Sequence, residues 1–179
     1  MKFTPTLLAG AFLVESEPMT DERGFFARSF CQNEFISHDL STNIAQCNIS
    51  YNKTRGILRG MHYQRTPNAE AKLVRCTRGS IYDVIIDLRG GSSTFQQWIG
   101  YELNSKNRIA LYIPKGFAHG FQTLEDDTEV FYQMFDFFSP QAASGVRWDD
   151  PAFNIDWPLP VHTISEKDRN YPDFNGPTL

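Results

Sequence analysis

The sequence predicts an all-β protein, a double-sheet jelly-roll barrel with a few short helices. Short runs rich in β-branched and aromatic residues recur along the chain, and turn-forming clusters of Gly, Pro, Asn and Asp separate them. This spacing is typical of a β sandwich or barrel. A jelly roll uses eight or more short strands and leaves few free sheet edges. No repeat or linker divides the 179 residues, so we expect one domain over residues 1–179.

Eight segments are predicted as strands, and each is bounded by turn signals. The segment at 80–88 shows the two-residue period of a strand: its apolar residues at even positions share one face, while Asp83 and Asp87 lie on the other. Helix is predicted only at 32–39 and after Ser165, which suits the start of a short C-terminal helix. The predicted strands are residues 45–51, 56–64, 72–78, 80–88, 97–103, 108–113, 117–123 and 129–138.

Charge and cysteine content limit the classes of partner. The net charge of -4 disfavours a general affinity for nucleic acid, which needs a basic surface. Cys31, Cys47 and Cys76 are widely spaced and odd in number, which indicates reduced thiols in a cytoplasmic protein rather than a disulfide framework or zinc knuckle. The N-terminal apolar run is too short to span a membrane, so no membrane partner is expected.

The four histidines are candidates for chemistry. His38 and His162 are expected to face solvent, whereas His62 lies in an apolar β run and His119 follows a Pro-Gly turn. A histidine in a β run is about as often a packing residue as a functional one. Position alone therefore does not decide the role of His62 or His119.

Metal binding is one functional interpretation of these histidines. Residues 114–119 resemble the second metal motif of the cupins, a superfamily of small jelly rolls. The first cupin motif has two histidines one residue apart, whereas Gln64 stands two residues after His62. His62, Glu70 and His119 could still form a facial triad for Fe(II). The spacing from His62 to Glu70 departs from the cupin pattern, which disfavours metal dependence.

Proton transfer beside a carbonyl group is the second interpretation. A base removes a proton, a cation stabilises the developing enolate, a second acid returns a proton, and a carboxylate beside the histidine fixes its tautomer and supports its protonated form. Besides His62, the residues that could fill these roles are Arg59, Lys72, Arg75, Tyr132 and Asp168. Composition alone makes this set weak evidence, because most chains of enzyme size contain these residue types.

Seven sequence motifs support the proton-transfer interpretation more strongly than composition does. They appear in the same order as in the dTDP-4-dehydrorhamnose 3,5-epimerases, and several are specific to that family. The resemblance extends from about Phe12 to Asp168, nearly the whole chain, and identifies it as a member. The motifs are ERGFF (22–26), QCNIS (46–50), ILRGMHYQ (57–64), KLVRCTRGSIYDVIIDLR (72–89), IPKGFAHGF (113–121), GVRWDDPAFNIDWP (145–158) and ISEKD (164–168).

The resemblance implies a homodimer of jelly rolls that epimerises a nucleotide-linked keto sugar at C3, C5 or both, without a metal or cofactor. His62 matches the catalytic base of the family, and Asp168 matches its paired carboxylate. Lys72 matches the lysine near the C4 oxygen of the sugar, and Tyr132 the proton donor on the opposite face. Phe138 falls where an aromatic side chain stacks on the base. The positions that match sugar, diphosphate or nucleotide contacts are Arg23, Gln46, Asn48, Arg59, His119 and Lys167.

Two positions depart from the family pattern and keep the nucleotide open. Arg28 stands where a Glu helps to read the nucleotide in the best-known members, and Ala143 stands where another Glu occurs. Neither change touches the proton-transfer set, so the same chemistry on a CDP- or GDP-linked sugar is an alternative. A 3,4-ketoisomerase of the same fold and a non-catalytic sugar-nucleotide-binding module are further alternatives, although simple binding needs no opposed acid and base.

One geometric conflict follows from strict alternation along the strand at 56–64. His62 and Arg59 would point to opposite faces, although the resemblance places both at the ligand. Both can reach one site if the strand bulges or twists, plausibly at Gly60. Otherwise they belong to different sheets or different subunits.

Overall fold

Thirteen strands and two short helices form the part of the chain that this computed structural model describes, residues 1–176. The predicted all-β class is confirmed. The strands are β1 (Lys2–Pro5), β2 (Phe12–Glu15), β3 (Met19–Asp21), β4 (Gly24–Phe26), β5 (Gln46–Asn52), β6 (Leu58–Gln64), β7 (Lys72–Arg78), β8 (Ser80–Asp87), β9 (Trp98–Asn104), β10 (Ala110–Ile113), β11 (Phe117–Thr123), β12 (Thr128–Met134) and β13 (Ala143–Gly145). The helices are α1 (Gln32–Ile36) and α2 (Glu166–Arg169).

Two antiparallel sheets carry eleven of these strands. The six-stranded sheet has the order β1-β2-β10-β7-β12-β5, and the five-stranded sheet has the order β13-β6-β11-β8-β9. Their facing sides share one apolar core, in which Val74 and Val130 of the first sheet meet Ile85 and Phe121 of the second. This face-to-face packing is the jelly-roll architecture that the sequence predicts. β3 and β4 form a separate hairpin.

The outer faces of both sheets are covered as well. Val84 and Ile86 of β8 pack against the C-terminal segment through Phe153. Leu73 of β7 packs against Phe35 of α1 on the outside of the six-stranded sheet. β8 is therefore buried on both faces, so its two aspartates need partners inside the protein.

The predicted strands are all present, with two differences. The bounds at 72–78 and 117–123 match β7 and β11, but the prediction of a strand to residue 138 is wrong, because β12 ends at Met134. Beyond it Phe135 turns inward against Phe35, while Phe137 and Phe138 are exposed. The short strands β1 to β4 and β13 were not predicted, since three or four residues give little periodicity.

A register shift in β6 removes the conflict between Arg59 and His62. His62 lies opposite His119 and Arg59 opposite Phe121, so three steps along β6 match two along β11. Gly60 permits this shift: it has a φ of +142°, and a Cβ atom there would lie 2.5 Å from the Gly120 Cα. The extra residue turns both side chains toward the same cavity. The predicted bulge at Gly60 is confirmed.

Asp87 anchors the turn after β8 and gives a test of the fold. Its fully buried carboxylate accepts hydrogen bonds from Arg89, from Ser92 at 2.5 Å and from Thr94 at 2.7 Å. Burial acts to raise the pKa of Asp87, but these hydrogen bonds outweigh it and lower the pKa to about 2. A carboxyl whose pKa is lowered on folding stabilises the protein above its unfolded pKa, and this stabilisation is lost as the pH falls.

We predict that Asp87→Asn lowers the free energy of unfolding by about 2 kcal/mol at pH 7. The difference from wild type should shrink as the pH falls from about 4, the unfolded pKa, toward about 2. Urea unfolding at pH 7 and at acidic pH measures it, with the exposed Asp156→Asn as control. A difference that stays constant with pH would contradict the account.

Candidate active site

The candidate site is a cavity between the two sheets, and each sheet contributes part of it. His62 on β6 and His119 on β11 come from the five-stranded sheet, whereas Lys72 on β7 and Tyr132 on β12 come from the six-stranded sheet. The cavity has two adjoining lobes, and His62, Lys72 and Tyr132 border both of them. The predicted base, cation and acid are therefore brought together.

His62 and Asp168 form a hydrogen-bonded pair, although they are 106 residues apart in sequence. His62 Nε2 lies 2.7 Å from Asp168 Oδ1, and the Gly60 N–H donates to Asp168 Oδ2 at 3.3 Å. The Asp168 N–H in turn donates to the Ser165 hydroxyl, which caps α2 as predicted. Helix α2 therefore holds the Asp168 carboxylate next to Gly60, where the register of β6 shifts.

In this pair the carboxylate is ionised and the imidazole can accept a proton, as a histidine base requires. Burial acts to raise the pKa of Asp168, but the hydrogen bond and charge of His62 and the Gly60 N–H hold this pKa below its usual value. The ionised carboxylate accepts from Nε2–H of His62, which leaves Nδ1 as the nitrogen with a lone pair. The His62 side chain is 43% exposed while that of Asp168 is 7% exposed, so the imidazole faces the cavity and the carboxylate stays behind it.

Tyr132, in contrast, is suited to donate a proton. Burial raises the pKa of its hydroxyl, and the nearby charge of Arg59 only partly opposes this. Tyr132 therefore keeps its proton at neutral pH and can donate it. Asn48 lies directly opposite Tyr132 in the register of β5 and β12, which places its side chain on the same face of the sheet.

Lys72 is a buried cation at the point where the two lobes meet. Its Nζ lies 3.0 Å from Oε1 of Glu70, and both side chains are largely buried. An ammonium fixed in this way can stabilise negative charge that develops on a substrate oxygen.

The metal interpretation is not supported by this arrangement. His62, Glu70 and His119 each contact a different charged partner, and His119 Nε2 lies 2.8 Å from the buried Asp83. Among residues 1–176, no group of three His, Cys, Asp or Glu side chains is placed to hold a metal ion.

Four of the seven predicted ligand-contacting residues border the two lobes. Arg59 borders one lobe together with His119, and its Nε donates to the buried Asn52 at 2.7 Å. Phe138 and Lys167 border the other lobe, and both are exposed. Gln46 contacts Phe138: its amide oxygen accepts a hydrogen bond from the Phe138 N–H at 2.6 Å.

Arg23, like Gln46 and Asn48, does not border either lobe of this cavity. It lies in the turn between β3 and β4, where its side chain is 83% exposed and pairs with Asp21. Two residues depart from the family pattern. Nη1 of Arg28 lies 3.6 Å from Oε1 of Glu34, and Ala143 borders the same lobe as Phe138.

Sequence reasoning missed Asp83 and Tyr171. The sequence does contain an indication that Asp83 has an interior partner, because a charged residue in a strand buried on both faces requires one. The Tyr171 ring meets His62 edge-on at 6.2 Å, and its hydroxyl is buried with no hydrogen-bond partner within residues 1–176. Burial and the charge of Asp168 raise the pKa of Tyr171 to about 12. Nothing in the local sequence marks this tyrosine.

Comparison with known proteins places the chain in a family. The family model described as dTDP-4-dehydrorhamnose 3,5-epimerase matches residues 5–176. The epimerase of that name from Methanothermobacter thermautotrophicus is 44% identical, over 95% of this chain and 92% of the relative. The Bacillus anthracis enzyme, crystallised with TDP and pyrophosphate, is 40% identical with a TM-score of 0.93, over 97% of this chain and 99% of that structure.

A third relative carries a sugar ligand. The Legionella pneumophila enzyme, solved in complex with dTDP-4-keto-L-rhamnose, is 36% identical with a TM-score of 0.86, over 93% of this chain and 89% of that structure. Between residues 1 and 176, no helix is long and apolar enough to cross a bilayer. The architecture, the motif order and these similarities together show that the chain belongs to the dTDP-4-dehydrorhamnose 3,5-epimerase family of isomerases.

Proposed function

We propose that this protein inverts C3 and C5 of dTDP-4-dehydro-6-deoxyglucose to give dTDP-4-dehydrorhamnose. The observation that carries the proposal is that a histidine paired with a carboxylate and a protonated tyrosine border one cavity from different sheets. His62, supported by Asp168, comes from the five-stranded sheet, and the protonated Tyr132 comes from the six-stranded sheet. Inversion at carbon needs a proton removed from one face and another delivered to the opposite face.

Each group has one task in this reaction. The C4 ketone acidifies the protons on C3 and C5, and Nδ1 of His62 removes one of them. The electron pair moves onto the C4 oxygen, where the ammonium of Lys72 stabilises the enolate. Tyr132 then protonates the carbon from the other side. Exchange with solvent returns a proton to Tyr132 and removes one from His62, which completes the cycle.

The nucleotide in this proposal is thymidine diphosphate. The lobe bordered by Phe138 and Lys167 offers an aromatic surface for a base and a cation for a diphosphate. The relatives crystallised with TDP and with a dTDP-linked sugar support dTDP over the CDP and GDP alternatives. Of the two departures from the family pattern, Arg28 does not border this lobe, whereas Ala143 does and places only a methyl group there.

We also propose a cytoplasmic homodimer in which each chain is one jelly-roll domain. The hairpin of β3 and β4 exposes Met19, Phe25 and Phe26, and β5 exposes Ile49 and Tyr51. Exposed apolar surfaces of this kind often mark protein interfaces. A second copy that covers the hairpin would bring Arg23 against another chain, which fits its place among the predicted ligand-contacting residues.

His62→Ala is predicted to abolish solvent deuterium incorporation at C3 and C5 of the keto sugar, because the base is lost. NMR of the sugar recovered from D₂O measures the incorporation. The exposed His162→Ala variant is the control and should match wild type. Incorporation by His62→Ala at the wild-type rate would refute its role as the base.

Tyr132→Phe is predicted to leave some deuterium exchange but to block net inversion, because proton removal persists while delivery to the opposite face fails. The same NMR assay, combined with analysis of the product's configuration, separates the two events. Tyr101→Phe alters a tyrosine on β9 that borders neither lobe of the cavity and serves as the control. Normal inversion by Tyr132→Phe would show that the donor lies elsewhere.

Asp168→Asn is predicted to lower kcat by about 10²–10⁴-fold, because the imidazolium loses the charge that supports it. The capped helix α2 should persist, since the backbone N–H of residue 168 still donates to Ser165. Steady-state kinetics, with Asp156→Asn as the matched control, measures the loss. A kcat close to wild type would mean that Asp168 only positions the helix.

A further inference from the structure

Glu70 has a buried carboxylate oxygen for which residues 1–176 supply no hydrogen-bond partner. The residue is 7% exposed and lies two positions before Lys72. Its Oε1 lies 3.0 Å from the ammonium of Lys72, but its Oε2 is buried and has no hydrogen-bond partner within residues 1–176. A buried carboxylate oxygen without a partner is costly, and buried polar groups are nearly always hydrogen-bonded, so a donor from outside these residues is expected at Oε2.

The surroundings define the kind of partner. Glu70 borders the same lobe as His62, Lys72 and Tyr132, so a ligand that enters this lobe lies next to its side chain. A metal ion fits poorly, since the ammonium of Lys72 is bound to the other oxygen and no metal-binding group of three side chains occurs in the described chain. An ionised carboxylate only accepts hydrogen bonds, and the donors that a hexose offers are its hydroxyl groups.

We infer that Glu70 is a sugar-recognition residue, whose Oε2 accepts a hydrogen bond from a hydroxyl of the bound hexose while Oε1 fixes Lys72. This inference rests on the proposed function, which places the C4 oxygen at Lys72. Because Glu70 contacts the Lys72 ammonium, the hydroxyl it accepts from belongs to a ring carbon close to C4. Glu70 then holds the sugar in register with the base and the acid without exchanging a proton with it.

The test compares two ligands that differ only by the hexose. dTDP-glucose carries the sugar but no ketone, so it binds without turnover, and dTDP lacks the sugar altogether. In Glu70→Gln the amide keeps the size of the side chain but has one acceptor oxygen in place of two. The Kd of dTDP-glucose, measured by calorimetry, should rise about tenfold to a hundredfold, the effect of losing a hydrogen bond to a charged group. The Kd of dTDP should stay close to wild type.

Equal affinity of Glu70→Gln and wild type for dTDP-glucose would overturn the inference, and so would an equal loss for both ligands. The exposed Glu125→Gln is the matched control. If Glu70→Gln does not bind dTDP at all, Glu70→Asp replaces it, since it keeps the charge but withdraws the carboxylate from the cavity. The epimerisation assay of the wild-type protein distinguishes failure of this inference from failure of the proposed function. If the wild type is active and Glu70→Gln binds dTDP-glucose normally, only this inference is refuted. If the wild type is inactive, the proposed function is refuted.

Discussion

The close approach of the β6 and β11 backbones at Gly60 and Gly120 is the constraint on which the site depends. It produces the register shift that turns Arg59 and His62 toward one cavity. The Gly60 N–H also donates to Asp168, so the same glycine positions both His62, the proposed base, and the carboxylate behind it. A side chain at position 60 would collide with the neighbouring strand, and the alternation of β6 would then separate the two ligand-facing residues.

Around this constraint lie three pairs of charged or protonatable side chains. His62 with Asp168, Lys72 with Glu70, and His119 with Asp83 each place a cationic or protonatable group against a carboxylate. Pairing offsets part of the cost of removing charge from water, so a jelly-roll core can contain a polar cavity. The two proposed proton-transfer groups are supported differently: Asp168 hydrogen-bonds His62, the proposed base, whereas burial keeps the proton on Tyr132 in the facing sheet.

The sequence was most informative where a segment was long and regular. β7 and β11 were predicted with their observed bounds, and the bulge at Gly60 followed from a conflict between alternation and function. The run after Met134 was misread, because its aromatic residues pack in different directions rather than along a strand. The pairing of His62 with Asp168 came from the family resemblance, since no local pattern links side chains 106 residues apart. Asp83 and Tyr171 were missed because their roles depend on tertiary burial.

A crystal structure of the protein with dTDP-glucose tests the central claim most directly, because it locates the hexose relative to both sheets. The account predicts that the ring lies between His62 and Tyr132, with Nδ1 of His62 facing one side of C3 and C5 and the Tyr132 hydroxyl facing the other. A hexose bound with both residues on the same face, or bound outside the cavity between the sheets, would contradict it.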